Sequence, residues 1–182
     1  HLDATGLMQC CNAAGTRALY DLWRYALEVK PASGSGRPEV SVHLRFSVEN
    51  PVLRVVSYEP AEGRLRISAR EDCVVAVRLP ECTPGAVVVS AGRAQALKAA
   101  DGYVRFVLNA GEMGDLHYPL VERTAWYEVG AGQKRVQCVA RWRGEAVIGV
   151  EPPGPFYPLY QAVTEAGPAE PGLPAGPVVA SL

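Results

Sequence analysis

The hydrophobic positions change their spacing near residue 39, and this change separates two kinds of predicted element. Before it, residues 12–30 place apolar side chains three and four positions apart, which is the spacing of one face of an α-helix. Asn12 is a favourable N-cap, and Pro31 ends the pattern. A single helix cannot bury its own apolar face, so we expect it to pack on the sheets or on helices outside the chain. The apolar face consists of Leu19, Leu22, Trp23, Ala26 and Leu27.

From residue 39 onward, hydrophobic and polar residues alternate, which is the pattern of strands. The alternation is unbroken over 39–48 and predicts a strand whose inner face carries Val40, Val42, Leu44, Phe46 and Val48. His43 and Arg45 then lie on the solvent face. Turn dipeptides such as Asp101-Gly102 separate further predicted strands at 53–58, 64–70, 74–79, 86–90, 103–108, 115–119, 124–129, 136–142 and 146–150. Many short strands without intervening helices predict two packed antiparallel sheets over 39–151.

The sequence therefore predicts a mainly β protein, an antiparallel β-sandwich preceded by one α-helix. Residues 152–161 are too rich in proline for a strand, yet their aromatic side chains favour packing on a surface. The final stretch is rich in Pro, Gly and Ala and is typical of a disordered tail. The predicted divisions are the helix at 1–31, a flexible joint at 32–38, the sandwich at 39–161 and the tail at 162–182.

Composition and net charge limit the classes of partner that the chain is expected to bind. A chain that is 48% hydrophobic and 20% charged is typical of a soluble globular protein. Its formal net charge of -1 provides no attraction to phosphate backbones, so we expect no nucleic-acid partner. The apolar runs are far too short to span a bilayer, so we expect no membrane partner. The chain begins with His1 rather than Met, which indicates a piece of a longer protein.

Cys10 and Cys11 are the residues best suited to chemistry. Adjacent cysteines rarely form a disulfide with each other, and these two immediately precede the predicted helix, whose free N–H groups favour the thiolate. A thiolate can act as a nucleophile or a zinc ligand, and two in succession can share one zinc ion. The alternative is that both are small residues packed beneath the helix. No CxxC or nearby histidine completes a zinc site in this chain.

The remaining polar residues are interpreted as structural. Three cysteines lie in strand-like apolar sequence and are expected to be small buried side chains; they are Cys73, Cys82 and Cys138. His43 and His117 are interpreted as ordinary surface or edge residues. Four carboxylates flank turns and are interpreted as solvated; they are Glu71, Asp72, Glu112 and Asp115. The phosphate-binding, nucleophile-elbow and HExxH motifs are absent from the sequence.

Several stretches together resemble the end of proteins of glycoside hydrolase family 127 (GH127), the β-L-arabinofuranosidase group. They are the Cys10-Cys11-Asn12 run with Gly15, Arg17, Ala18, Leu19 and Tyr20, then SVENPVLRVVSYEPAEGRLRI, VAVRLPECTPGAVVVSAGR and RWRGEAVIGVEPPGPFYPLYQ. The resemblance covers residues 3–161. Because this family has an (α/α)6 barrel followed by β-sandwich domains, it implies that the helix is the last of a barrel whose remainder lies upstream.

The resemblance also implies a site. Cys10 matches the family's nucleophile, which is also a zinc ligand, and Cys11 matches a second ligand. The remaining ligands, a glutamate and a cysteine, and a separate glutamate that acts as general acid/base would lie upstream of His1. The implied reaction is retaining hydrolysis of a carbohydrate substrate such as an arabinofuranoside. This chain has Asn12-Ala13-Ala14-Gly15 where the characterised enzymes have Pro-Pro-Asn, so the resemblance does not specify the sugar.

Two non-catalytic alternatives remain at this point. A carbohydrate-binding module would use exposed aromatic rings as a stacking platform, and the candidates are Trp126, Tyr127, Trp142 and Tyr157. A protein-interaction module would use the apolar face of the helix and the proline-rich end.

Overall fold

The computed structural model describes residues 9–32, 34, 36–80, 83, 85–129 and 135–152, with side chains described from Ala13 onward. Within these residues the chain forms one helix and thirteen strands. They are α1 (Gln9–Arg24), β1 (Leu27–Lys30), β2 (Glu39–Val42), β3 (Val48–Glu49), β4 (Leu53–Ser57), β5 (Arg64–Ala69), β6 (Cys73–Arg78), β7 (Gly85–Ser90), β8 (Arg93–Lys98), β9 (Tyr103–Leu108), β10 (Met113–His117), β11 (Glu122–Val129), β12 (Val136–Arg143) and β13 (Ala146–Glu151). The described helix is neither long enough nor apolar enough to cross a membrane.

The helix ends earlier than the sequence predicted. It was expected to reach residue 30, but the last helical residue is Arg24, and 27–30 form β1, which pairs antiparallel with β2 from Leu27↔Val42 to Lys30↔Glu39. The prediction was wrong because Ala26 and Leu27 continue the helical spacing by coincidence. Both are buried, and pairing with a strand distant in sequence overrides the local period. Asn12 lies inside the helix and is therefore not its N-cap.

The strands form three sheets. The first has the order β1-β2-β6-β9, the second β3-β4-β5-β10-β7-β8, and the third β11-β12-β13. The mainly β, antiparallel fold class is confirmed, with β2 and β6 as a single parallel pair among the described strands. The prediction of two sheets over 39–151 was wrong in number, because β11, β12 and β13 hydrogen-bond only to one another.

The core lies between the first two sheets. One cluster of buried side chains joins Val40, Val42, Val75 and Val77 of the first sheet to Leu53, Leu65, Ile67 and Leu116 of the second. Period-2 alternation accounts for this arrangement: β5 buries every second residue, and β9 does the same. These branched aliphatic side chains interdigitate without polar atoms and fix the two sheets face to face.

The long strand predicted over 39–48 is divided. β2 belongs to the first sheet and β3 to the second, so residues 43–47 carry the chain from one sheet to the other. Val40, Val42 and Val48 are buried as predicted, while Leu44 and Phe46 are half-buried against the core. Arg45 was expected to face solvent, and this was wrong, because its side chain is only 4% exposed. The crossing turns this residue inward, where carboxylates compensate its charge.

Candidate functional site

Cys10 and Cys11 lie within the first described turn of α1, whereas the sequence predicted them immediately before the helix. The structure describes the backbone of Cys10 and Cys11 as helical and does not describe their side chains. The first turn of a helix has N–H groups without helical acceptors, and their partial positive charge favours a thiolate. Among the residues that the structure describes, no three His, Cys, Asp or Glu side chains form a group that could hold a metal.

The donor chemistry of the pair is nevertheless suitable for zinc. Thiolate sulfur is a preferred zinc donor, and a structural or catalytic site uses three or four protein ligands. By residue type, Cys10 and Cys11 fit two such positions, and no group of three or more His, Cys, Asp or Glu among the described residues forms a complete site.

The structure describes the side chains of two other cysteines, which differ in burial. Cys73 is a free thiol with no exposed surface, and burial raises its pKa to about 11, so it is a neutral core side chain at physiological pH, as predicted. Cys138 is a free thiol of β12 and only half-buried, so the expectation of full burial was wrong for it. Cys82 lies outside the described residues.

A cleft of about 690 Å³ separates the end of α1 from the first sheet. The helix contributes one wall, and the residue pair after β2 and side chains of β6 and β9 contribute the other. The lining residues are Ala18, Asp21, Leu22, Tyr25, His43, Leu44, Arg78 and Tyr103. Sequence reasoning missed this cleft, because its walls come from segments far apart in the chain.

Hydrogen bonds connect Tyr103, His43 and Glu28 at the wall of the cleft, and we call these three side chains the relay. His43 Nδ1 lies 2.7 Å from the Tyr103 hydroxyl, and His43 Nε2 lies 3.1 Å from Glu28 Oε2. An ionised carboxylate can only accept, so in the neutral ring Nε2 carries the proton, and the Tyr103 O–H donates to Nδ1. The interpretation of His43 as an ordinary surface residue was therefore wrong: it is half-buried and both ring nitrogens have partners.

A second polar network surrounds Arg45. Its guanidinium donates to Glu59 at 2.8 Å, to Glu145 at 2.7 Å and to the carbonyl oxygen of Arg78 at 3.0 Å. Burial alone would lower the Arg45 pKa, but the charges and hydrogen bonds of Glu59 and Glu145 together outweigh it and raise the pKa, so the charge is retained. The Tyr118 hydroxyl also donates to Glu59, and burial together with that carboxylate raises the Tyr118 pKa. Because Glu145 follows β12, this network joins the third sheet to the core.

Three of the four carboxylates predicted to be solvated have specific partners, namely Asp72, Glu112 and Asp115, while Glu71 is exposed, as predicted. Asp72 pairs with Arg37 at 3.6 Å and accepts from the backbone N–H of Ala110. Asp115 accepts two hydrogen bonds from Arg66, at 2.9 and 3.2 Å. These contacts are structural, and the four carboxylates do not converge on a common site. His117 is exposed, as expected.

The third sheet does not present the aromatic platform that a carbohydrate-binding module needs. Trp126 is 72% exposed and Tyr127 44%, but as neighbours on one strand they point to opposite faces. Trp142 is half-buried, and the Arg123 guanidinium lies 4.4 Å from the centre of its ring. Tyr157 lies outside the described residues. Trp126 and Tyr127 are therefore two exposed rings on opposite faces of β11 and do not form one platform.

Comparison with known proteins identifies the fold. Neither protein-family models nor curated proteins match the sequence. Among solved structures, the chain is similar to a protein described as a glycoside hydrolase, with 20% identity and a TM-score of 0.54, over 78% of this chain and 25% of that one. This likeness shows the fold, which glycoside hydrolases contain as part of a longer chain. The resemblance indicated by the sequence is thus confirmed at the level of the fold.

Two structures of GH127 enzymes are also similar. One is a β-L-arabinofuranosidase from Geobacillus stearothermophilus T6, with 19% identity and a TM-score of 0.48, over 76% of this chain and 23% of that one. The other is a β-arabinofuranosidase, with 18% identity and a TM-score of 0.42, over 60% of this chain and 22% of that one. The chain spans about a quarter of the length of the solved structures it matches.

Proposed function

We propose that this chain is the C-terminal part of a retaining, zinc-thiolate glycoside hydrolase of the GH127 type, with Cys10 as its nucleophile. The observation that carries the proposal is the position of the cysteine pair, in the first turn of the helix that leads directly into the sandwich. The sandwich has a fold found within a longer glycoside hydrolase. The proposed substrates are non-reducing-end sugars such as arabinofuranosides.

In this proposal the Cys10 thiolate attacks the anomeric carbon of the sugar. A carbon–sulfur bond forms, and the bond from the anomeric carbon to the leaving oxygen breaks. A general acid outside this chain protonates that oxygen, and water then releases the sugar from Cys10 with the same group acting as base. The free N–H groups of the α1 first turn favour the thiolate, which makes the attacking group available at neutral pH.

Cys10 and Cys11 would hold zinc, which when bound keeps thiols deprotonated and moderates their nucleophilicity. Two thiolates are half of a tetrahedral set, so the proposal assigns the other ligands to an upstream barrel domain. The same domain is the proposed partner of the helix. Two large side chains on α1 outside the cleft remain at least half exposed, and we assign them to the interface with that barrel: Leu19 and Tyr20.

The sandwich has a structural role in this proposal. Its core is closed on itself, and the described residues offer no acid/base pair of carboxylates, because the candidate carboxylates are engaged with arginines and backbone N–H groups. It would cover one side of the barrel and hold α1 through β1, whose pairing with β2 anchors the end of the helix.

The decisive experiment uses the longer protein that contains this chain. We expect Cys10→Ala to abolish hydrolysis of an aryl β-L-arabinofuranoside, and Cys11→Ala to lower bound zinc measured by metal analysis. Cys138→Ala is the matched control, since this half-buried thiol lies on the third sheet, and it should change neither readout. Full activity of the Cys10→Ala protein would refute the nucleophile assignment.

The isolated chain provides a second test. It should be inactive and should lose zinc on dialysis, because two thiolates alone bind the ion weakly. If the isolated chain instead retained one equivalent of zinc, the assignment of the missing ligands to an upstream domain would be wrong.

A further inference from the structure

We propose that the cleft between α1 and the first sheet binds an uncharged, polyhydroxylated ligand of the size of a mono- or disaccharide. The proposal does not rest on the thiol pair. Asp21 follows Cys10 by two-thirds of the helix, and at 1.5 Å per residue the two lie about 16 Å apart along the helix axis. The cleft is therefore a site of its own.

The size of the cleft suits a small molecule. Its volume of about 690 Å³ lies within the range of roughly 300–1,000 Å³ that is typical of small-molecule sites. The apolar part of its wall consists of Leu22, Leu44 and the aromatic rings of Tyr25 and Tyr103. Tyrosine rings provide flat apolar surface beside a polar tip, which suits a ligand that has both C–H faces and hydroxyl groups.

The relay prepares the Tyr103 hydroxyl for such a ligand. When the His43 ring is neutral, the Tyr103 O–H donates to it, and the oxygen lone pairs are available to accept from a ligand hydroxyl. Glu28 holds the imidazole from its other side at 3.1 Å, so the direction of the Tyr103 O–H is fixed before a ligand arrives. Glu28 and His43 act through Tyr103 and are positioning residues.

Two further side chains complete a balanced set. The Asp21 carboxylate accepts hydrogen bonds, and its ion pair with Arg17 is long, at 3.9 Å, and largely exposed, so it competes weakly with a ligand. The Arg78 side chain, which carries only hydrogen-bond donors, lines the opposite wall, while its backbone carbonyl accepts from Arg45. One negative and one positive group face the cleft, which favours a neutral ligand that can both donate and accept.

The test is a titration of the chain with L-arabinose, followed by calorimetry and by amide chemical-shift changes. We expect saturable binding at millimolar sugar. Tyr103→Phe and Asp21→Asn should each weaken it by about tenfold, the loss that corresponds to 1.4 kcal/mol. Two controls should bind as the unmodified chain does: Trp126→Ala, which removes an exposed ring of the third sheet, and Cys138→Ala, which changes a half-buried thiol of the same sheet. Thermal melts confirm that each variant is folded.

The positioning role has its own readout. His43→Gln should weaken binding, and adding it to Tyr103→Phe should cause no further loss, because the imidazole acts only through the hydroxyl that is already gone. Absence of saturable binding, loss of binding in Trp126→Ala but not in Tyr103→Phe, or binding of sulfate in preference to arabinose would each overturn the proposal. Since no activity is measured, these outcomes are independent of the thiol proposal.

Discussion

The two large sheets and the periphery of this molecule bury their apolar side chains to very different extents. Between the sheets, Leu53, Leu65 and Leu116 have no exposed surface. On α1, Leu19 is 69% exposed, and on the third sheet Val129 is 56% exposed, although both residues belong to regular elements with good geometry. Backbone strand pairing is regular in both large sheets and in the third sheet, but close apolar packing is confined to the region between the two large sheets.

This difference shows which part of the chain folds on its own contacts. The core cluster draws on both large sheets and needs nothing else. The helix is held mainly through β1, and its own apolar face faces outward. A surface of this kind is typical of a piece whose neighbour lies elsewhere, which agrees with the proposed upstream barrel.

The largest contrast is expected for leucine truncations. Leu65→Ala should lower the free energy of unfolding by about 2–5 kcal/mol, because it removes methyl groups from a closed core and leaves a cavity. Leu19→Ala, the matched change on α1, should alter it by no more than about 0.5 kcal/mol. Urea unfolding followed by circular dichroism measures both. Comparable losses in the two variants would mean that the helix is as well packed as the core.

The Arg45 network should come next in size. Arg45→Ala leaves Glu59, whose side chain is 13% exposed, without its buried partner, and should cost about 3 kcal/mol. Glu145→Gln is the control at the exposed end of the same network and should cost less than about 1 kcal/mol. If both variants unfold at the same urea concentration as the unmodified chain, the network contributes nothing to holding the third sheet.

Replacing one glycine in each region with alanine should also distinguish the sheets from the helix, because the two changes should alter stability in opposite directions. A methyl group on Gly63 would lie 1.9 Å from the backbone oxygen of Tyr118, so Gly63→Ala must displace backbone and should cost about 1–3 kcal/mol. Gly15 has open space around it inside α1, and Gly15→Ala should stabilise by about 0.5–1 kcal/mol. Thermal melts of the two variants should therefore shift in opposite directions, and a destabilised Gly15→Ala chain would show that the helix packs on something at that position.

The smallest effect is expected at Glu112, at a turn of the sandwich. The backbone N–H of Asn109, followed by the Ser90 hydroxyl, lowers the pKa of this carboxyl. A lowered folded-state pKa means that the stabilisation is complete above the unfolded value of about 4.3 and is lost as the pH falls through the folded value. Glu112→Gln should thus lower stability slightly at neutral pH and not at about pH 2. A difference that persists in acid would assign the effect to packing.

The strands were predictable because their signal is local. Period-2 alternation and turn dipeptides located nearly all of them, and the buried valines of β2 were predicted directly from the alternation. β8 was missed because its sequence, RAQALK, is rich in residues that favour helices, and only its pairing with β7 makes it a strand. The end of α1 was predicted too late for the same reason, because the pairing of β1 with β2 cannot be seen in the local spacing of apolar residues.

The candidate sites also differ in whether their residues are close together in the sequence. The cysteine pair could be found because adjacent thiols before a helical pattern are a local feature. The burial of Arg45 could not be predicted from the sequence, because the carboxylates that compensate its charge, Glu59 and Glu145, lie far from it along the chain. The cleft likewise depends on His43 and Tyr103 meeting across two strands that are not adjacent in sequence.

The single parallel pair has a consequence for the order of events during synthesis. Strands β3, β4 and β5 can pair as soon as they leave the ribosome, because each lies next to its neighbour in sequence. β2 waits for β6, since Glu39 pairs with Val74, and β6 waits for β9, since Cys73 pairs with Leu108. Contacts between distant segments form slowly because a long loop must close first. The helix, β1 and β2 are thus made before β6 and β9, and the first sheet is complete only after residue 108 has been added.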